Sequence, residues 1–191
     1  MKKIGAIIAM TFLAVAAETP AFAQRAPAPA PGMWAISGSV GASAPKDASL
    51  DKGLDLAVNV ENYLSSRVSI RGQLGGSSWN IVGRAFTGDV KPLRLDGNLV
   101  YNWEGGEWHP YVTAGVGMYD YRSSLSGNVN GSDTKAGIDA GGGIEYFFRR
   151  RTTLTGEVLY HGVGAFNGLV TTYNSGSFWT FDVGLKAYLR R

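Results

Sequence analysis

The sequence predicts an all-β chain, with eight antiparallel strands closed up-and-down into a transmembrane β-barrel. Three observations predict it. After residue 31, apolar residues recur at every second position, which is the period of a strand. The connections between these alternating segments run long, short, long, short, long, short, long. Beyond the N-terminal segment, no stretch is apolar over the about 20 residues that a membrane-spanning helix needs. A closed barrel is then the spanning form that pairs every backbone group between strands.

Residues 1–23 read as a secretory signal peptide. Met1-Lys2-Lys3 gives a positive start and residues 4–17 an apolar run. Glu18-Thr19-Pro20 breaks the helix, and Ala21-Phe22-Ala23 supplies the small-residue pattern, so cleavage is expected after Ala23. Residues 24–31 alternate Ala and Pro and read as an extended leader. Residues 32–191 are left for one barrel domain. The chain has no cysteine, so no disulfide holds it. Its net charge of +3 is too small and too dispersed for a nucleic-acid surface. Arg149-Arg150-Arg151 and Arg190-Arg191 read as solvated turn and terminus charges.

The first strand sets Trp34, Ile36, Gly38, Val40 and Ala42 against Ser37 and Ser39. The second sets Leu54, Leu56, Val58 and Val60 against Asp55, Asn59 and Glu61. The third, Val68 to Leu74, alternates with Ser69, Arg71 and Gln73, and a long connection over 75–91 follows. The fourth carries Leu93, Leu95, Leu99 and Tyr101 opposite Arg94, Asp96 and Asn98. Glu104-Gly105-Gly106-Glu107 is a tight hairpin turn, because paired glycines accept positive φ. The fifth strand presents Val112, Ala114, Val116 and Met118 on one face, and a polar loop is expected over 123–134. The sixth places Ile138, Ala140, Ile144 and Tyr146 against Asp139 and Glu145. After the short turn at 149–152, the seventh sets Leu154, Val158 and Tyr160 against Thr155 and Glu157. A last long loop over 162–177 leads to Trp179, Phe181, Val183 and Leu185, opposite Asp182, Gly184 and Lys186.

Alternation leaves open which face points inward, since a soluble ligand-binding cup would have its apolar face inside. Three features favour lipid outside. Trp34, Trp103, Trp108, Tyr146 and Phe148, with Tyr63, gather at the short-turn end; Phe178 and Trp179 lie at the other, with Trp79, Tyr121 and Phe166 in nearby loops. Two such girdles mark bilayer interfaces. The polar face mixes Arg71, Arg94 and Lys186 with Asp96, Asp139, Glu145, Glu157 and Asp182, and adds Gly115, Gly117, Gly141, Gly143 and Gly184. Inside a narrow barrel these charges must pair as a lumen network, with the glycines giving them room. The apolar face carries no charge within the strands.

With the strands laid out, the chain resembles the small outer-membrane β-barrel family, similar to the OmpA transmembrane domain and OmpX-type proteins. The carriers are residues 109–117 (HPYVTAGVG), 141–146 (GGGIEY) and the closing 182–188 (DVGLKAY). The resemblance covers nearly all the chain after the leader. It implies a bacterial outer-membrane location, barrel-insertion machinery as a partner in biogenesis, and contact with outer-membrane lipid and lipopolysaccharide. The chain departs from the family by running past Tyr188 to Leu189-Arg190-Arg191, where members commonly end on an aromatic residue.

No catalytic constellation survives inspection. Glu157 and His161 share a face but lie about 13 Å apart along a strand, out of reach of a hydrogen-bonded acid–base pair. His161 is instead expected to hydrogen-bond at a loop base. His109 has no second histidine or cysteine nearby, so neither a metal nor a cofactor is implied. The expected function is non-enzymatic, structural or surface-interacting, with a surface partner for four exposed loops and none among nucleic acids. The alternatives are a narrow transport or lipid-handling barrel and a soluble periplasmic cup.

Overall fold

The computed structural model describes residues 29–82, 88–103, 106–125, 129–168 and 172–189, with no side-chain detail at 125, 129 and 130. The expected signal peptide and the first part of the leader, residues 24–28, lie outside the described residues, as do Arg190-Arg191 and the first half of the 104–107 turn. Gly106 is in the turn's described half and has φ of 76°, the left-handed backbone that a hairpin turn requires.

Eight long strands form the barrel: β1 (Trp34–Pro45), β2 (Gly53–Tyr63), β3 (Val68–Asn80), β4 (Gly88–Asn102), β5 (Trp108–Leu125), β6 (Val129–Arg149), β7 (Thr152–Val163) and β10 (Phe178–Tyr188). Two short strands, β8 (Phe166–Asn167) and β9 (Thr172–Tyr173), pair within the last long loop. Each long strand pairs antiparallel with its sequence neighbours in the wall, and β1 pairs with β10 from Ala35↔Tyr188 to Pro45↔Phe178 to close the ring. Closure leaves no open edge within the barrel wall, so backbone polar groups there find strand partners without water.

Burial resolves the question of faces. The apolar alternates are exposed on the outside, with Val116, Ile138 and Leu95 among the most exposed at 66%, 64% and 61%. The charged alternates are buried inside. This is the reverse of a soluble cup and suits a lipid-facing belt.

Strand ends differ from the sequence expectation at the long-loop side. β3 continues to Asn80, and β5 and β6 run through most of the polar segment expected as a loop over 123–134. Periodicity reports a strand only while one face is apolar; beyond the lipid both faces are polar and that signal stops. The wall is not matched on every side: β6 pairs with β7 only as far as Gly137↔Val163, while it pairs with β5 out to Leu125↔Val129. Residues 129–136 therefore run on for roughly 25 Å along the strand past the end of β7. The other side of this raised wall is capped, because Leu50 bridges Ile81 and Asp51 N–H donates to the Asn80 carbonyl at 2.9 Å.

Val116→Arg should cost about 2–4 kcal/mol if the belt faces the bilayer midplane. Ser132→Arg, exposed on the outer extension, should stay within about 0.5 kcal/mol. Guanidinium unfolding in phospholipid vesicles measures both; near-equal effects would contradict the lipid-facing assignment.

Candidate functional site: the charged lumen and its two plugs

Inward-pointing alternates of all eight strands meet along the barrel axis, where they build a polar middle between two aromatic ends. At the short-turn end, Tyr63, Phe147 and Tyr188 pack with Ala35. Phe147 stacks on Tyr188 with ring centroids 5.5 Å apart, and the Tyr63 and Tyr188 hydroxyls lie 3.1 Å apart. Tyr63, expected with the girdle, thus points inward as part of this plug.

Lys186 comes next. Its Nζ donates to Glu61 Oε2 at 2.7 Å and to Glu145, whose other oxygen accepts from the Tyr188 hydroxyl at 2.7 Å. Ser69 donates to Glu61 as well. Further along, Arg71 donates to Glu157 at 2.5 Å and to Thr113 at 3.3 Å, and the Tyr111 hydroxyl adds a second donor to Glu157 at 2.9 Å. Arg94 then forks onto Asp55, with its two terminal nitrogens at 2.7 and 2.8 Å from the two carboxylate oxygens. This bidentate geometry is the strongest form of side-chain ion pair. Asp96 lies 3.6 Å from Arg94 Nε, and Asp139 accepts from Asn98.

Several inward-facing glycines make room for these charged groups. A Cβ built on Gly117 would collide with Asp96 Oδ1, and one on Gly41 with Asp182 Oδ1. A side chain on Gly75 would meet the Arg94 guanidinium. Between Arg71, Glu157, Asp182 and Lys186 lies a cavity of about 10 Å³, roughly the room of one water.

At the long-loop end a larger plug forms from Trp79, Tyr119, Tyr121, Phe166, Tyr173 and Phe178, with Leu50, Val90 and Val163. The β8–β9 hairpin folds inward, so Phe166 stacks on Tyr121 at 4.1 Å and on Tyr173 at 4.7 Å. The Tyr121 hydroxyl donates to the Gly176 carbonyl at 2.6 Å, and Trp79 Nε1 donates to Ser43 at 2.8 Å. Trp79, Tyr121, Phe166 and Phe178 were expected at the outer interface; the structure turns them into the lumen instead. Trp79, Tyr121 and Phe178 continue the inward alternation of β3, β5 and β10, which run further than the apolar pattern marked.

All eight lumen charges expected from the sequence, Arg71, Arg94, Asp96, Asp139, Glu145, Glu157, Asp182 and Lys186, are buried inside the barrel. Sequence reasoning missed Asp55 and Glu61 as members, although both stood on the polar face of their strand. Of the interface aromatics, Trp34, Trp103, Trp108, Phe148 and Trp179 are exposed on the outside, and Tyr146 is half-buried against Trp108 at 4.5 Å. His161 is fully buried at the foot of the outer plug, its Nδ1 3.0 Å from the Tyr119 hydroxyl and its ring stacked on Phe178. His109 faces the Gly106 carbonyl at 3.0 Å. Among the described residues, no group of three or more His, Cys, Asp or Glu is placed to hold a metal ion.

A closed eight-stranded wall, apolar outside and charged within, defines the class: a bacterial outer-membrane β-barrel. Residues 7–188 match the outer membrane protein beta-barrel domain family, and the chain belongs to that family. Among solved structures it resembles OprG of Pseudomonas aeruginosa at 15% identity and TM-score 0.64, covering 82% of this chain and 96% of that one. Neisserial surface protein A matches at 12% identity and TM-score 0.61, over 82% of this chain and 96% of that one. Ail, the attachment invasion locus protein of Yersinia pestis, solved with the heparin analogue sucrose octasulfate, matches at 13% identity and TM-score 0.57, over 83% and 99%. At these identities the likeness is one of fold. No curated protein sequence matches the chain.

Removing one partner of the central pair strands a buried charge. Arg94→Ala should therefore cost about 3–5 kcal/mol, whereas the double variant Arg94→Met with Asp55→Leu should lose far less. Chemical unfolding of the folded barrel, followed by its heat-dependent gel mobility, distinguishes the two.

Proposed function

We propose that this barrel is a non-enzymatic surface-interaction protein: a membrane-fixed post that presents the raised β3–β6 sheet to a partner outside the cell. The observation that carries the reading is the unequal wall. Among the described strands, residues 129–136 of β6 pair with β5 alone; on their other side β6 packs against the short β8, where the Asn167 N–H donates to the Asp133 carboxylate at 2.7 Å, and no described strand extends the ladder. An open strand edge offers backbone donors and acceptors in register, a template for an extended polypeptide.

A transport role fits less well. The lumen is plugged by aromatic side chains at both ends and filled by ion pairs between, with space for about one water. An enzymatic role lacks a nucleophile with a free base, because Glu157 is engaged by Arg71 and Tyr111, and His161 is enclosed by Tyr119 and Phe178. Nor does the sulfated-sugar ligand of Ail carry over. Of the described outer cations, Lys91, Arg122 and Lys135 each have a carboxylate beside them, Asp89 at 2.9 Å, Asp120 at 2.7 Å and Asp133 at 3.2 Å, and Lys46 stands over the Tyr160 ring. Outer-membrane lipid around the belt, lipopolysaccharide at the outer rim and the barrel-insertion machinery are the remaining partners of this reading.

Selection of displayed peptides on the barrel in nanodiscs, followed by amide hydrogen exchange of the complex, tests it. Bound peptides should slow exchange at residues 129–136 and leave the β1–β2 side unchanged. Protection elsewhere, or a steady ion conductance of the unliganded barrel in planar bilayers, would overturn the surface-post reading.

A further inference from the structure

Three cations on the outer strands and three consecutive arginines at the short-turn end are held differently. At the outer end each described ion pair joins a base to an acid two residues away on the same strand: Lys91 to Asp89, Arg122 to Asp120, Lys135 to Asp133. At the short-turn end, the periplasmic one in barrels of this kind, Arg149, Arg150 and Arg151 stand consecutively in the β6–β7 turn, and none forms an ion pair among the described residues.

Local backbone geometry leaves the three consecutive side chains exposed. The β6–β7 register shifts between Phe147 and Arg149, which face Thr153 and Thr152 and leave Phe148 as the extra residue. Such a bulge re-aims the side chains that follow it. Phe147 points into the lumen and Phe148 outward; strict alternation would then send Arg149 inward, onto the Phe147–Tyr188 plug. With the bulge, Arg149 is exposed along with Arg150 and Arg151. The turn is pinned in place, because Tyr188 N–H donates to the Arg151 carbonyl at 2.9 Å and Leu189 N–H to the Trp34 carbonyl at 2.8 Å.

Depth identifies the partner. Phe148 and Trp34 are exposed beside this turn and mark the edge of the apolar belt. The headgroup layer occupies about 5–7 Å beyond the hydrocarbon on each side. A residue one to three positions past Phe148 lies about 3–10 Å along the chain from it, and the turn folds that distance back on itself. The exposed guanidinium groups are therefore within reach of the level of lipid phosphates. Three adjacent like charges repel one another, and phosphodiester oxygens accept from guanidinium in forked pairs that remove the repulsion. We propose that the Arg149-Arg150-Arg151 turn is a binding site for anionic phospholipid headgroups of the periplasmic leaflet. It holds the barrel at a fixed depth from below, where the outer rim is charge-balanced.

The test uses the full barrel refolded into vesicles of mixed phosphatidylcholine and phosphatidylglycerol, with a spin-labelled form of either lipid reporting the fraction immobilised at the protein. Wild type should favour phosphatidylglycerol several-fold, with the preference falling as salt rises. The triple variant Arg149→Gln, Arg150→Gln, Arg151→Gln should lose most of it, a triple Lys replacement should keep part, and Lys91→Gln with Arg122→Gln should leave it intact. Heat-dependent gel mobility reports whether each variant is folded; should the triple variant fail to fold, Arg150→Gln alone, with the salt series on wild type, gives the same readout at smaller amplitude. Equal association of the two lipids with wild type would overturn the proposal, as would a preference that survives the triple replacement. So would loss of binding to isolated peptidoglycan with the lipid preference unchanged, which would assign the arginines to the cell wall.

Discussion

In hydrocarbon a backbone amide has no water to fall back on, and that constraint organises the rest of this protein. It demands that the sheet close, and closing eight strands leaves an interior only as wide as the side chains that fill it. Whatever points inward must then satisfy its neighbours across a few ångströms. Lys186 does so between Glu61 and Glu145, Arg71 against Glu157 and Tyr111, and Arg94 in a fork on Asp55. Burying such charges is tolerable only because each pair is hydrogen-bonded as well as opposed in sign. The wall yields space in return, through glycines at 41, 75 and 117 over which Asp182, Arg94 and Asp96 lie.

Closure also governs what the two mouths do. Each is stoppered by aromatic residues, but by different means. The short-turn plug comes wholly from strand ends, with Tyr63, Phe147 and Tyr188 in contact. The outer one borrows Phe166 and Tyr173 from a loop hairpin that folds back over Tyr121. A barrel filled and stoppered in this way is a rigid support. Its adaptable surface is the sheet raised above the membrane and the loops beside it, where sequence can vary without disturbing the packed lumen.

Identical residue types play opposite parts according to their neighbours. Arg94 is locked inside by Asp55, Arg122 is balanced at the outer surface by Asp120, and Arg149 is exposed just past a one-residue bulge. Charge counted over the whole chain, a net +3, conceals this arrangement. Whether an arginine is paired depends here on backbone geometry within a residue or two.

The sequence by itself determined the strand number, the alternation of long and short connections, the charged interior and the apolar exterior. Each of these is carried by a period of two that local side-chain direction imposes on any strand. It also placed Asp55 and Glu61 on the polar face, though nothing local marked them as partners of Arg94 and Lys186. Those partnerships span 39 and 125 residues of chain and exist because the closed wall brings β2 opposite β4 and β10. Only the tertiary structure decided that the β8–β9 hairpin folds Phe166 and Tyr173 back over Tyr121, that β5 and β6 stay paired past the end of β7, and that a bulge at Phe148 leaves Arg149 exposed. These outcomes fall where the lipid ends. There polarity no longer separates one strand face from the other, so packing across the barrel, rather than pattern along the chain, sets each side chain's direction.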